Sequence, residues 1–297
     1  MSLSIAPIDA LARPFFAGEV SGIDITQPLT PEQARAIEAG MDHYGVLVFH
    51  GQRFDDESQL AFSRNFGSLE EATGDLNFHQ ARRLGSPLVN DISNLDMNNQ
   101  VLARDSRRRL FSLGNRLWHS DSSFKEVPAK FSLLSARIVP SAGGNTEFAD
   151  MRAAYDALDS ELKAECENLI CEHSQLYSRG VLGFTGFTEE DKARFKPVQQ
   201  RLVRRHPSTG RKSLFLASHA GGILGWPVPE ARQFLRDLTE HATQRKFVYS
   251  HTWQQHDLVI WDNRATMHRA RPFPDAEVRD MHRTTVACER STMAEAA

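Results

Sequence analysis

The sequence predicts a mainly β protein with flanking helices, built as an antiparallel sandwich or barrel. Three observations carry that expectation. Segments of strand length and composition recur at 131–139 (FSLLSARIV), 145–148, 213–217 (SLFLA), 257–261 (DLVIW), 265–269 and 281–288 (MHRTTVAC). Helical stretches separate only some of them, at about 151–171 and 228–243, so the βαβ alternation of a doubly wound fold is missing. Glycine-rich nucleotide fingerprints are absent, and Gly210-Arg211-Lys212-Ser213 puts an arginine where a phosphate loop needs its lysine.

The elements follow in order. Residues 18–24 alternate apolar and polar side chains between glycines and read as extended. A helix is expected over 31–44, with Thr30 as N-cap, Pro31 at the first helical position and Gly45 ending it left-handed. Val46-Leu47-Val48-Phe49 reads as a buried strand, and a second helix at about 56–66 carries Leu60, Phe62 and Phe66. From 68 to about 116 the chain is polar and irregular; a loop of that length in a compact domain is usually functional. Its run Arg107-Arg108-Arg109 reads as a solvated loop. Met151, Tyr155, Leu158, Leu162 and Leu169 recur at near-helical spacing, with Asp150 and Ser160 as caps, so 151–171 divides into two helices. Residues 206–211 read as a hairpin turn.

Composition bounds the function. The 297 residues are 40% hydrophobic and 25% charged, with a formal net charge of −3, which excludes a disordered chain and argues against a general nucleic-acid binder. No apolar run of ~18 residues is present to cross a membrane, and the first residues lack the pattern of a secretory signal. Cys166, Cys171 and Cys288 form neither a disulfide framework nor a CxxC site and read as free thiols, pointing to a reducing, cytoplasmic setting.

The chemistry concentrates in two short stretches. In Leu117-Trp118-His119-Ser120-Asp121-Ser122, His119 and Asp121 are two apart, which on a strand directs both to one face. A third ligand is available from Trp261-Asp262-Asn263-Arg264-Ala265-Thr266-Met267-His268, where His268 follows an apolar strand and a polar turn. Two histidines and one carboxylate on one side of a metal leave the opposite positions open, which suits non-haem Fe(II) and does not by itself exclude zinc. Arg279 and Arg283 are four apart and share a strand face with Met281; guanidiniums directed inward need anions, and carboxylates match their geometry.

LWHSDSSF at 117–124, GGNTEFADMRAAY at 143–155, HATQRKFVY at 241–249 and WDNRATMH at 261–268 occur here in one order. In these stretches the chain resembles the Fe(II)/2-oxoglutarate-dependent dioxygenases of the taurine dioxygenase family, over nearly its whole length. The resemblance implies a single domain, 1–297, with a double-stranded β-helix (jelly-roll) core and an active-site lid within 68–116. It implies Fe(II), with 2-oxoglutarate and O2 as cosubstrates, and His119, Asp121 and His268 as the iron ligands. Thr146 and Arg279 match the residues that bind 2-oxoglutarate, and Asn115 one that lies near it. Arg283 matches the arginine that holds the acidic group of the substrate, Ser122 falls beside that contact, and His219 matches a histidine near the site.

The branch of the family most similar in these motifs implies aryloxyalkanoates as substrates, 2,4-dichlorophenoxyacetate among them. Hydroxylation beside the ether oxygen then releases a phenol and glyoxylate, with succinate and CO2. A taurine, alkyl sulfonate or alkyl sulfate dioxygenase is the same-fold alternative. A zinc hydrolase using the same ligands would need neither 2-oxoglutarate nor O2, and the intact triad with Thr146 and Arg279 argues against a non-catalytic jelly-roll binding protein. A lysine expected in the loop after the second helix is missing at 68–79, where His79 is the donor left to replace it. The implied partner is a small organic acid, with no nucleic acid and no membrane, and the chain is expected to be a homo-oligomer.

Overall fold

The computed structural model describes residues 3–72 and 82–295. Its core follows from the apolar runs. Val46–Phe49 and Leu258–Asp262 are apolar on both faces, as strands covered on both sides must be. They pair antiparallel at the centre of a seven-stranded sheet whose order is Ser4–Pro7, Gly18–Ser21, Val46–Phe49, Leu258–Asp262, Ala129–Ile138, Asp280–Ala287, Asn90–Asp91. Alternate side chains divide the burial. Leu47, Phe49, Phe131, Leu133, Leu258 and Ile260 meet Ile37 and Met41 of the helix Pro31–Tyr44 and Phe62 of the helix Asp56–Ser63. Val46, Val48, Leu134, Val259, Trp261 and Met281 point the other way, onto Phe148.

Phe148 belongs to a second, three-stranded sheet, Val248–His251, Thr146–Asp150 and Thr266–Ala270. The two sheets with their helices make a mixed architecture in which strands dominate the functional core. A further three-stranded sheet, Ala220–Ile223, Ile170–His173 and Val198–Arg201, packs with the helices Met151–Asp156, Ser160–Cys166 and Val228–Ala242.

Most expected elements are present. The helix over 31–44 has a Thr30/Gln33 capping box and a left-handed Gly45. The second helix ends in a 3-10 turn, Arg64–Phe66. The stretch 151–171 divides into two helices as expected, but the second ends at Cys166 and Ile170 already opens the strand Ile170–His173; Asp159 rather than Ser160 caps that helix, its carboxylate accepting from Leu162 N at 2.8 Å. The turn at 206–211 joins Val203–Arg205 to Lys212–Leu214.

Two expectations fail. The strand over 213–217 is only Lys212–Leu214; Phe215–Ala217 are buried but unpaired in a sheet. Arg107-Arg108-Arg109 is not a solvated loop: the helix Arg107–Ser112 starts there on a Ser106 cap, Arg108 pairs with Asp91 and Arg109 with Asp275. Of the expected lid, 73–81 and therefore His79 lie outside the described residues. Cys166, Cys171 and Cys288 are free thiols, and no helix among the described residues is long and apolar enough to cross a membrane.

Candidate active site

His268 sits centrally on Thr266–Ala270, and His119 pairs with it as a single antiparallel bridge, exchanging N–H···O bonds of 3.0 and 2.8 Å. This pairing, not a continuous strand, brings the ligands together. The expectation that His119 and Asp121 share a strand face is corrected here. The chain turns at Asp121, whose N–H donates to Asn263 Oδ1 at 3.0 Å, and Ser122 adopts a positive φ of 54°. The turn swings the Asp121 carboxylate to 3.9 Å from His119 Nε2 and 3.7 Å from His268 Nε2.

One ligand atom from each of the three residues lies within 4.8 Å of the others, and all three side chains are buried. His119 Nδ1–H donates to the Leu117 carbonyl at 2.7 Å, which leaves Nε2 as the lone-pair atom aimed at the cluster. Burial pushes both imidazoles down, His268 well below its ordinary value, so they are neutral. Burial works against ionisation of Asp121 too, but the Arg283 charge, helped by the Ser132 hydrogen bond, outweighs it and holds the carboxyl far below the usual carboxylate range. Two neutral imidazoles and one carboxylate fit a divalent first-row ion held on one face.

Asp121 is fixed from three directions. Ser132 Oγ–H donates to its Oδ2 at 2.7 Å, and Arg283 Nη1 donates to its Oδ1 at 2.5 Å. Asn263 joins the network by donating to Ser132 Oγ at 3.0 Å while accepting from the Trp261 indole at 3.1 Å. Trp261 in turn lies against the His268 ring, centroids 4.6 Å apart.

All nine candidate residues line one cavity of about 620 Å³: Asn115, His119, Asp121, Ser122, Thr146, His219, His268, Arg279 and Arg283. Arg279 is the most telling. Its guanidinium is buried, makes one long contact to the Ile92 carbonyl at 3.5 Å, and faces no carboxylate among the described residues. Burial pulls it down to about 10. A buried cation without a counter-ion is a socket for an anion. Thr146 opens its strand beside this socket, and the turn Gly143-Gly144 makes the approach possible. Gly143 has φ +70°, and a Cβ there would stand 2.5 Å from the Pro272 carbonyl.

On the other side of the ligands, His219 accepts or donates through Nδ1 to Ser178 Oγ at 2.9 Å and meets the Phe124 ring edge-on at 4.9 Å. Burial first, then Arg179, pushes it well below its ordinary value. Arg283 uses Nη1 on Asp121, while its buried Nε has no partner among the described residues. Ser122 Oγ is engaged by Glu70 at 2.7 Å.

Ser132, Asn263 and Arg179 carry no signal of their role in the sequence. Ser132 is one of two serines in a largely apolar strand, and Asn263 stands in the polar turn after Trp261; neither pattern announces a partner 131 positions away.

The chain matches the family described as "Taurine catabolism dioxygenase TauD, TfdA family" over residues 6–285. It belongs to this family. It is 46% identical to the alpha-ketoglutarate-dependent 2,4-dichlorophenoxyacetate dioxygenase of Cupriavidus pinatubonensis over 273 residues, covering 92% of this chain and 95% of the relative. It is 36% identical to the (S)-phenoxypropionate/alpha-ketoglutarate-dioxygenase of Sphingobium herbicidovorans, covering 96% and 95%. Among solved structures, AAD-2 in complex with Mn(II) and N-oxalylglycine superposes with a TM-score of 0.90 at 56% identity, covering 98% of this chain and 99% of that one. This member of the family is a dioxygenase.

Proposed function

We propose that this dioxygenase uses Fe(II), 2-oxoglutarate and O2 to hydroxylate the carbon beside the ether oxygen of aryloxyalkanoates such as 2,4-dichlorophenoxyacetate. The observation that carries the reading is the buried His119/Asp121/His268 face opening into a cavity lined also by Arg283 and by the Arg279 guanidinium, which faces no carboxylate among the described residues. The two dioxygenases named above add weight, since both bear aryloxyalkanoate names. The two facing sheets are read as the halves of a double-stranded β-helix, and residues 82–116 as the cover of the cavity. The free thiols accord with a cytoplasmic setting.

The residues divide the work as follows. His119, Asp121 and His268 hold Fe(II), with Ser132 and Asn263 fixing the carboxylate. Bound Fe(II), with 2-oxoglutarate and O2, supplies the oxidant that hydroxylates the substrate carbon as 2-oxoglutarate is converted to succinate and CO2. Arg279 and Thr146 take the distal carboxylate of 2-oxoglutarate, with Asn115 beside it. Arg283, through its spare donors, takes the substrate carboxylate next to Ser122, and neutral His219 offers a polar contact without adding charge. Phe111, Phe124 and Leu134 give the cavity apolar wall for an aromatic ring and keep water from the reacting carbon. The hydroxylated carbon then carries both a hydroxyl and an aryloxy group; its C–O bond breaks, the hydroxyl proton passes to the phenolate, and phenol and glyoxylate leave.

The test is phenol release from 2,4-dichlorophenoxyacetate by the purified protein with Fe(II) and ascorbate in air, with and without 2-oxoglutarate. Phenol is expected only when 2-oxoglutarate is present. Phenol without 2-oxoglutarate would refute the cosubstrate. No phenol, with turnover of taurine or an alkyl sulfate instead, would refute the substrate class.

A further inference from the structure

We infer that Trp253 is a positioning residue that commits the Thr146 hydroxyl proton to the distal carboxylate of the cosubstrate. The inference rests on the reading above, which places that carboxylate at Thr146 and Arg279.

The argument starts from register. His251, the last residue of Val248–His251, lies opposite Thr146 in the antiparallel pair, so the chain that continues past His251 folds back over Thr146. Two residues on, the Trp253 indole N–H donates to Thr146 Oγ1 at 3.0 Å. An indole has one donor and no acceptor, and a threonine hydroxyl has one proton and two lone pairs. The bond therefore uses the whole polar capacity of Trp253 and one lone pair of Thr146. It leaves the hydroxyl proton free, and that proton meets no acceptor among the described residues. Thr146 and Arg279 both line the cavity, so the open direction is toward an anion between them.

The indole is not free to turn away. Trp253 is only 7% exposed. His251 meets it edge-on, centroids 4.6 Å apart at 89°. His251 Nε2–H donates to Asp257 at 3.1 Å, and its Nδ1 is bonded to the Tyr249 hydroxyl at 3.0 Å. Asp257, fully buried, also accepts from His50 at 2.7 Å and from the Gln254 N–H at 2.9 Å. A braced ring thus sets the direction of a hydroxyl that is itself a ligand contact. Accepting a hydrogen bond also makes that hydroxyl a stronger donor. Nothing in this chain of contacts reaches Arg283 or His219, so the effect is confined to the cosubstrate.

The experiment is a double-mutant cycle on binding of N-oxalylglycine, a 2-oxoglutarate analogue, to the Mn(II)-loaded protein, measured by calorimetry. Trp253→Phe keeps the ring and removes the donor, and is expected to weaken binding about 3- to 10-fold, the size of one neutral hydrogen bond. Thr146→Val is expected to weaken it at least as much. The double variant should bind no worse than Thr146→Val alone, because Trp253 acts only through that hydroxyl. In turnover, Trp253→Phe should raise KM for 2-oxoglutarate and leave KM for the aryloxyacetate unchanged. An affinity of Trp253→Phe equal to the parent's overturns the inference. So does an equal loss on adding Trp253→Phe to Thr146→Val, which would make Trp253 a packing residue. Arg279→Met separates the two layers: unchanged N-oxalylglycine affinity in that variant would overturn the cosubstrate placement itself. If Trp253→Phe fails to fold, benzothienylalanine at 253, isosteric with tryptophan but lacking the N–H, carries the same expectation.

Discussion

Replacing Arg279 with methionine should have different effects on stability with and without the cosubstrate analogue. The Arg279 guanidinium is buried and faces no carboxylate among the described residues, and burial pulls it from 12.5 to about 10. That fall corresponds to about 3 kcal/mol set against the charged form, an upper bound on what removing the charge returns to the folded state. Methionine keeps an unbranched apolar stem but loses the contact with the Phe273 ring at 5.9 Å, so a net gain of about 1–2 kcal/mol is expected. In a chain of 297 residues that is a rise in Tm of ~2–3 °C. Adding N-oxalylglycine with Mn(II) cancels or reverses that gain. The analogue stabilises the parent by about 2.7 kcal/mol at a hundred times its Kd. The variant, losing a charge-assisted pair worth about 1.5–3 kcal/mol, binds roughly 10- to 150-fold more weakly and gains little. Differential scanning calorimetry of both proteins, with and without the analogue, reads the difference directly. A variant that melts below the parent by the same margin in both conditions refutes the reasoning, because Arg279 would then be paired within the protein.

Three further outcomes follow from the same geometry. Ser132→Ala removes the donor on Asp121 Oδ2 and should weaken Mn(II) affinity about 10-fold or more in a calorimetric titration, with Tm of the metal-free protein lowered by only a few degrees. Gly143→Ala places a Cβ 2.5 Å from the Pro272 carbonyl at a φ of +70° and should cost about 2 kcal/mol or more in urea unfolding, with KM for 2-oxoglutarate raised as Gly144 shifts against Arg279. His282 is buried between Asp56 and Asp280; burial lowers it, but Asp56, hydrogen-bonded to Nδ1, and Asp280, whose Oδ1 lies 3.4 Å from Nε2, outweigh burial and raise it. A raised folded-state pKa gives stability that is present in full below about 6.5 and is lost as pH rises through the raised value. The Tm gap between the parent and His282→Gln should therefore be widest near pH 6 and narrow toward pH 9; a gap that widens with pH contradicts the assignment.

The fold was legible where burial is two-sided. VLVF at 46–49 and LVIW at 258–261 can only be interior strands, and they pair at the centre of the large sheet. The helix over 31–44 was legible from its ends, because Thr30, Pro31 and Gly45 each do one local job. The His119/Asp121/His268 set and the two arginines were legible as residue types at fixed spacing, Asn115, Ser122, Thr146 and His219 only through the family resemblance, and all nine line one cavity. What escaped is long-range polar pairing. Arg108 was read as solvated because its partner Asp91 lies 17 positions earlier in a stretch with no periodic pattern. The short strands Ile170–His173 and Ala220–Ile223 escaped because each is only 4 residues long and shares its composition with its surroundings. Even the correct pairing of His119 with Asp121 came with the wrong cause. Strand alternation and a turn stabilised by Asn263 both bring two side chains to one point, and only coordinates separate them.

The proposed assignment gives two acids two arginines with different surroundings. Arg283 lies on the strand Asp280–Ala287, Arg279 directly precedes it, and both line the cavity. Met281 between them is fully buried against Trp261 and Phe148, so it separates the two guanidiniums with apolar wall rather than with water. Arg279 is left with no carboxylate among the described residues, whereas Arg283 is already bonded to Asp121. The two sockets therefore differ in charge balance. On the proposed assignment, the first carries an uncompensated positive charge and suits one carboxylate of a dianion, while the second is partly neutralised and suits a monoanion whose remaining bulk is apolar. Charge balance then adds to shape in separating dianionic 2-oxoglutarate from a monoanionic aryloxyacetate.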